Sequence, residues 1–142
     1  MTEIKNTFVQ VAQDCPVTVG VIPPTKPDAK PSIHAIQYEL LSASPYFFTL
    51  EDLIYEVYIR HKDIPREQVE LQGATIRAAL FQKSHPCMRA SMLPKKFGWG
   101  VHYDHEGRLA LYGMETEEYR KLASGAGDGP QLVFAMRNKK AK

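Results

Sequence analysis

The sequence predicts one α+β domain, in which a small, mainly antiparallel sheet built on a hairpin at 97–112 packs against three or four helices. Three observations lead to this prediction. The 142 residues suffice for one hydrophobic core. Helical periodicity dominates residues 33–83, and a strictly alternating segment with a glycine-containing turn follows at 97–112. We therefore expect a single domain spanning 1–142.

The composition is typical of a soluble globular protein, with 44% hydrophobic and 24% charged residues. The formal net charge is +2, from 18 basic and 16 acidic residues, which is too balanced to indicate a nucleic-acid or membrane partner by charge alone. The sequence contains no signal-peptide pattern and no apolar run of membrane-spanning length. Two distant cysteines are typical of free thiols in a reducing compartment, so we expect a cytoplasmic protein.

Two short strands and a loop are predicted before the first helix. Residues 6–12 are rich in β-branched and aromatic types and end before Pro16, which lacks an amide donor. Residues 17–22 have the same character and predict a second strand. Four prolines within 23–31 predict an exposed, stiff loop.

Two helices follow with clear start signals. Apolar residues at helical spacing predict a helix at 33–42, with Ser32 as its N-cap. The helix at 49–61 begins at Thr49, carries acidic residues in its first turn and basic residues in its last, and has one apolar stripe.

A third helix is predicted at 65–83, with Pro65 in its first turn. Val69, Gly73, Ile76 and Leu80 would form its buried side. Glycine in a helix costs about 1 kcal/mol relative to alanine, so Gly73 predicts the close approach of another backbone.

The hairpin is predicted from strict alternation. Phe97, Trp99, Val101 and Tyr103 share one face of the first strand, while Gly98, Gly100 and His102 share the other. Residues 104–107 provide the turn, and the chain returns as a strand at 108–112.

The last part of the chain is predicted less completely. A short helix at 116–122 begins with Thr-Glu-Glu. Residues 130–137 form either a closing strand or a last helical turn, because their periodicity fits both. Residues 138–142 predict a frayed basic tail.

The stretch from 84 to 103 holds the only tryptophan, one of the two cysteines and several basic residues, and it suggests a binding face. Gly98 and Gly100 would leave a flat strip that a ligand approaches closely, with basic side chains beside it as anion donors. The alternative is that the glycines allow tight packing of another element or mark a bulge. The candidate ligand-binding residues are Arg89, Lys95, Lys96, Trp99 and His102.

Cys87 is the candidate catalytic residue. His85 and Arg89 flank it, and cationic neighbours lower the pKa of a thiol and increase its nucleophilicity. The alternative is a small buried apolar side chain. A Cys15–Cys87 disulfide cannot be placed from sequence.

Four residues have side chains of the types that bind zinc. His85, Cys87, His102 and His105 are suitable ligand types, but their spacing matches no standard zinc motif, so we predict no metal and no cofactor.

The order of three helices and a hairpin also fits a winged helix-turn-helix, the alternative fold. Its recognition helix would carry Arg66, Arg77 and Lys83. Acidic residues within that helix and on the predicted wing weaken the basic surface that phosphate binding needs, so the charge pattern argues against nucleic acid.

Several blocks of sequence resemble a family of small bacterial proteins grouped only as a domain of unknown function. The main block is Pro-Cys-Met-Arg-Ala-Ser at 86–91 with Leu-Pro-Lys-Lys-Phe-Gly-Trp-Gly-Val-His at 93–102, close to the family pattern P-C-L-R-x-S-x-L-x-K-x-Y-G-W-G-x-H. Met88 and Phe97 are mild departures from it. Shorter matching blocks are Asn6-Thr7-Phe8 with Asp14-Cys15-Pro16, Pro45-Tyr46 through Thr49 and Asp52, and Ala135-Met136-Arg137. The resemblance implies a bacterial single-domain protein and no particular chemistry.

The residues therefore favour a binding protein over an enzyme, with an anionic small ligand or a protein partner at 86–102. A thiol enzyme or redox sensor using Cys87 is the first alternative, and a winged-helix nucleic-acid binder is the second. The oligomeric state is left open.

Overall fold

The computed structural model describes residues 3–125 and 127–139. Strand β1 comes first and is followed by three helices, a short fourth helix, a hairpin, a fifth helix and a final strand. The elements are β1 (Thr7–Gln10), α1 (Ile33–Ala43), α2 (Leu50–His61), α3 (Arg66–Leu80), α4 (Met92–Lys96), β2 (Trp99–Tyr103), β3 (Leu109–Gly113), α5 (Glu117–Ala123) and β4 (Gln131–Phe134). The α+β prediction is confirmed.

The four strands form one mixed sheet in the order β3-β2-β1-β4. The β2–β3 and β1–β2 pairs are antiparallel, whereas β4 runs parallel to β1. The predicted hairpin is therefore confirmed, but it lies within the sheet, with β1 as a further neighbour, and is not a free wing. The structure therefore has the predicted α+β fold with a small, mainly antiparallel sheet, and it is not a winged helix-turn-helix.

The two faces of the sheet are covered by different elements. Val9, Val101 and Tyr103 belong to the main core, together with buried side chains of α1, α2 and α4. Phe8, one residue along β1, points to the other face. There its ring meets the ring of Tyr119 on α5, with 5.0 Å between the ring centroids. Neither face of the central strands is therefore left bare.

Helices α1 and α2 begin where their caps predicted. The Ser32 hydroxyl accepts a hydrogen bond from the amide of Ala35, and Thr49 and Asp52 form a reciprocal capping box. Both predictions are confirmed. They could be made from the sequence because a cap and an apolar stripe are local properties of it. Among the described residues, no helix is both long enough and apolar enough to cross a membrane.

Helix α3 departs from its prediction. It ends at Leu80 rather than 83, and none of its residues is buried, so the predicted buried side is only half-covered. The close approach at Gly73 comes from a side chain and not from a backbone: the Tyr55 hydroxyl donates a hydrogen bond to the Gly73 carbonyl at 3.3 Å. Helix α3 packs mainly against α2, and a single neighbouring helix covers its apolar side only in part.

The strand predicted at 17–22 is wrong. The segment has no strand conformation and makes only scattered contacts, such as the amide of Val21 with the carbonyl of Phe97 at 2.8 Å. Strand β2 is already paired on both edges by β1 and β3. The apolar segment at 17–22 therefore finds no free edge of β2 to pair with, and it packs against the start of the hairpin instead.

The structure decides the predictions for the last part of the chain, from residue 116 onward. The helix predicted at 116–122 is confirmed as α5, and the choice at 130–137 falls to a strand. The backbone amides of Asn138 and Lys139 both donate to the Asp14 carboxylate at 3.0 Å, so the start of the predicted tail is anchored. Residues 140–142 lie outside the described residues.

Candidate functional site

Arg89 lies in a short turn beside the end of β4. Its Nε donates to the carbonyl of Phe134 at 2.8 Å, and its own carbonyl accepts from the amide of Met136 at 2.8 Å. Both contacts are with backbone at the edge of the sheet. Arg89 is therefore fixed beside β4, on an exposed part of the surface.

Lys95 and Lys96 occupy the last turn of α4, where cations stabilise the helix dipole. The carbonyl of Lys95 accepts a hydrogen bond from the Asn138 side chain at 2.8 Å. Lys96 is exposed.

Trp99 and His102 are three residues apart on β2, so their side chains leave the sheet on opposite faces. The Trp99 ring packs against Tyr38 of α1, and its indole N–H donates to the carbonyl of Val21 at 2.8 Å. His102 lies on the other face, with its ring 6.5 Å from that of Phe8. The alternation predicted for this strand is therefore observed, and it separates two residues of the predicted ligand-binding set.

Cys87 is half-buried, and so is Cys15; both are free. Cys87 lines one groove together with Arg89 and Tyr103, and another together with His34 and His61. Within the described residues, no three His, Cys, Asp or Glu side chains are placed to hold a metal ion. The thiol role of Cys87 stays a prediction.

The structure reveals a cluster that sequence reasoning missed. The hydroxyl of Tyr46 lies 2.8 Å from Nδ1 of His102 and 2.7 Å from the hydroxyl of Tyr112. We call these three residues the Tyr46 cluster. A single hydroxyl donates one hydrogen bond and accepts another, so Tyr46 can satisfy both neighbours at once.

The position of Tyr46 is set by an uncommon backbone conformation. Tyr46 has φ +59°, a region that bulky residues rarely adopt. Its amide donates to the carbonyl of Leu109 at 2.8 Å, which ties the α1–α2 loop to the edge of β3. Such conformations persist only where the surrounding structure holds them in place, and they are enriched at functional sites.

The surroundings of Tyr46 and His102 favour the uncharged form of both side chains. Burial raises the pKa of the Tyr46 phenol, and its hydrogen bond with Tyr112 raises it further. Burial also lowers the pKa of His102, which the charge of Asp104 offsets in part. Tyr46 and His102 therefore present neutral donors and acceptors.

Tyr46 and Tyr112 also line a surface groove that reaches Trp99. Its volume is about 400 Å³, within the range of small-ligand sites. None of the described side chains that line it is charged. We call it the aromatic groove; its lining is Tyr38, Leu41, Ser42, Pro45, Tyr46, Trp99, Ala110, Leu111 and Tyr112.

The lowered pKa of His102 predicts how the free energy of unfolding depends on pH. Because the folded pKa lies below the ordinary 6.5, the unfolded chain takes up the proton first as the pH falls. The free energy of unfolding should therefore decrease as the pH drops from about 6.5 towards the folded pKa. Urea unfolding at several pH values checks this expectation.

Burial lowers the pKa of His34 as well, so the control must isolate His102. In the His102→Asn variant an amide can replace Nδ1 without titrating. Its stability should decline less between about pH 7 and pH 5 than that of the wild type. Equal declines in the two proteins would show that His102 does not contribute.

Comparison with family models gives one finding. A model described as a family of unknown function, DUF6157, matches residues 1–141. No curated protein and no solved structure matches the chain. The expectation of an uncharacterised domain family is thereby confirmed. Because the match covers nearly every residue, the protein belongs to the DUF6157 family of unknown function.

Proposed function

We propose that this domain is a non-enzymatic binding module that holds an uncharged, proline-rich segment of a partner protein in the aromatic groove. The observation that supports the proposal is the placement of Tyr46. Its ring lines the groove while its hydroxyl is held by His102 and Tyr112. Two parts of the predicted site, Trp99 and His102, are retained in this proposal.

The chemistry of the lining favours this ligand class. Proline-rich segments adopt an extended helix that docks its rings between aromatic side chains. Tyr38, Tyr46, Trp99 and Tyr112 supply aromatic rings, and Ser42 supplies a polar group at an exposed position. Arg89, Lys95 and Lys96 do not line the groove, so the anionic ligand expected from the sequence is not part of the proposal.

The groove is also held in place before any ligand arrives. The Tyr46 hydroxyl is bonded on two sides, and the Trp99 indole is bonded to the carbonyl of Val21. A side chain at Gly20 would lie 3.0 Å from the Trp99 ring, so the backbone packs closely on that ring. Side chains that are already ordered lose little entropy on binding.

Titration with an oligoproline peptide of about ten residues tests the proposal. Trp99 is the only tryptophan, so its fluorescence reports on the groove directly. We expect a saturable change with oligoproline and none with a flexible Gly/Ser peptide of equal length. Absence of saturable binding to oligoproline would overturn the proposal.

A pair of matched variants locates the binding. Ser42→Arg places a long charged side chain in the groove from an exposed position on α1. It should weaken oligoproline binding about tenfold, or ~1.4 kcal/mol. Thr75→Arg adds the same side chain at an exposed position on α3, outside the groove lining, and should leave binding unchanged. Equal weakening by both variants would contradict the assignment.

The charges on α3 argue against nucleic-acid binding. On α3, the supposed recognition helix, Arg66 is paired with Glu70 at 3.3 Å, and Arg77 is paired with Glu51 and Asp52 of α2. These acidic partners weaken the basic surface that phosphate binding needs on α3.

A further inference from the structure

One edge of the sheet is formed by β4, which pairs with β1 on its inner side only. The amide of Gln131 donates to Asn6 and that of Ala135 donates to Gln10, so odd-numbered positions face β1. Because backbone groups alternate along a strand, those of Leu132 and Phe134 point outward. Exposed edge groups of this kind are a template for another strand.

The outward groups form an uneven pattern of donors and acceptors. Leu132 presents both its amide and its carbonyl, and Phe134 presents its amide. The Phe134 carbonyl is already occupied by Nε of Arg89 at 2.8 Å. Pro130 has a carbonyl but no amide hydrogen. An incoming strand with no donor opposite the Phe134 carbonyl therefore leaves no amide competing with Arg89 for that oxygen.

We propose that two copies of this chain associate through β4, antiparallel, with Leu132 opposite Leu132 of the second copy. In this register the two Leu132 residues exchange amide–carbonyl hydrogen bonds. Phe134 then lies opposite Pro130 of the second copy, and its amide donates to the Pro130 carbonyl. In this register Pro130, which has no amide hydrogen, faces the Phe134 carbonyl, which already accepts a hydrogen bond from Arg89.

This match favours a second copy of the chain as the occupant, because the chain itself supplies the proline at the required position. A strand without proline at that position would bring an amide towards the occupied Phe134 carbonyl. The backbone of Arg89 pairs with Met136, past the end of β4, and the outward amides of Leu132 and Phe134 have no hydrogen-bond partner among the described residues.

The side chains favour the same pairing. The Phe134 side chain is 43% exposed, and Pro130 of the second copy would cover it. Strand β4 carries no charged residue, and charges are a common means of keeping an edge strand unpaired. One short strand buries little area, so we expect a weak, concentration-dependent dimer.

Sedimentation of the full chain over a concentration series, up to about 1 mM, tests the pairing. The wild type should shift from monomer to dimer. Leu132→Pro removes an outward amide, a change that edge strands tolerate, and should abolish the shift, whereas Leu132→Val should retain it. A wild type that stays monomeric, or a Leu132→Pro variant that still dimerises, would overturn the proposal.

A charge-swap experiment tests the register and remains decisive if Leu132→Pro fails to fold. Leu132→Lys and Leu132→Glu each place like charges opposite one another in the symmetric pair, so each variant alone should be monomeric. An equimolar mixture should dimerise. Dimers in either variant alone, or no dimer in the mixture, would show that Leu132 does not face its own copy.

Discussion

Replacing Gly98 with alanine is expected to lower the free energy of unfolding by about 3 kcal/mol. Gly98 has φ +76°, where a Cβ alone costs roughly 1–2 kcal/mol. A Cβ there would also meet the carbonyl of Val19, which belongs to the backbone and has little room to move. Overpacking of this kind adds about 1–3 kcal/mol. Urea unfolding of both proteins measures the difference.

Gly127→Ala is the matched control. Gly127 has a similar φ of +61°, but nothing lies within 4 Å of the Cβ position. Its substitution should cost only the backbone contribution, about 1 kcal/mol. The difference between the two variants then isolates the contact with Val19. Equal losses would mean that the 17–22 segment yields to the new methyl group.

The second large effect is expected for Gly100→Ala. Gly100 is buried, and a Cβ would lie 2.6 Å from Phe8 Cζ and 2.6 Å from Tyr119 Cε2. Such distances require both rings to move, so we expect a loss of about 2 kcal/mol in the free energy of unfolding. Chemical denaturation measures it directly.

A double-mutant cycle tests the cause of that loss. Phe8→Leu removes the end of the ring that a Cβ at Gly100 would meet. The double variant Phe8→Leu/Gly100→Ala should therefore be more stable than the sum of the single losses predicts, by about 1 kcal/mol. If Gly100→Ala alone costs nothing, the glycine face is open, and the flat binding strip suggested by the sequence regains its support.

These glycines illustrate how the candidate site changed. The sequence showed that Gly98 and Gly100 lack side chains, which suits either a ligand or close packing. Only the fold shows what occupies the space: Val19 beside Gly98, and Phe8 and Tyr119 beside Gly100. The contacts come from distant parts of the chain, and no local pattern contains them. The observed geometry favours the packing alternative at both glycines.

The Tyr46 cluster was missed for the same reason. Tyr46 is 56 residues from His102 and 66 from Tyr112 along the chain. No spacing rule joins such positions. The Pro45-Tyr46 block of the family pattern was the one available signal, and it did not indicate a partner.

The sequence by itself determined the α+β class, the caps of α1 and α2, and the hairpin, because caps, periodicity and turn chemistry act over a few residues. Only the tertiary structure decided that 17–22 is not a strand, that 131–134 is one parallel to β1, and that Tyr46 meets His102 and Tyr112. Strand pairing depends on which edges remain free once the other strands are in place. The same long-range pairing places Tyr46 at the edge of β3 and Trp99 in the aromatic groove.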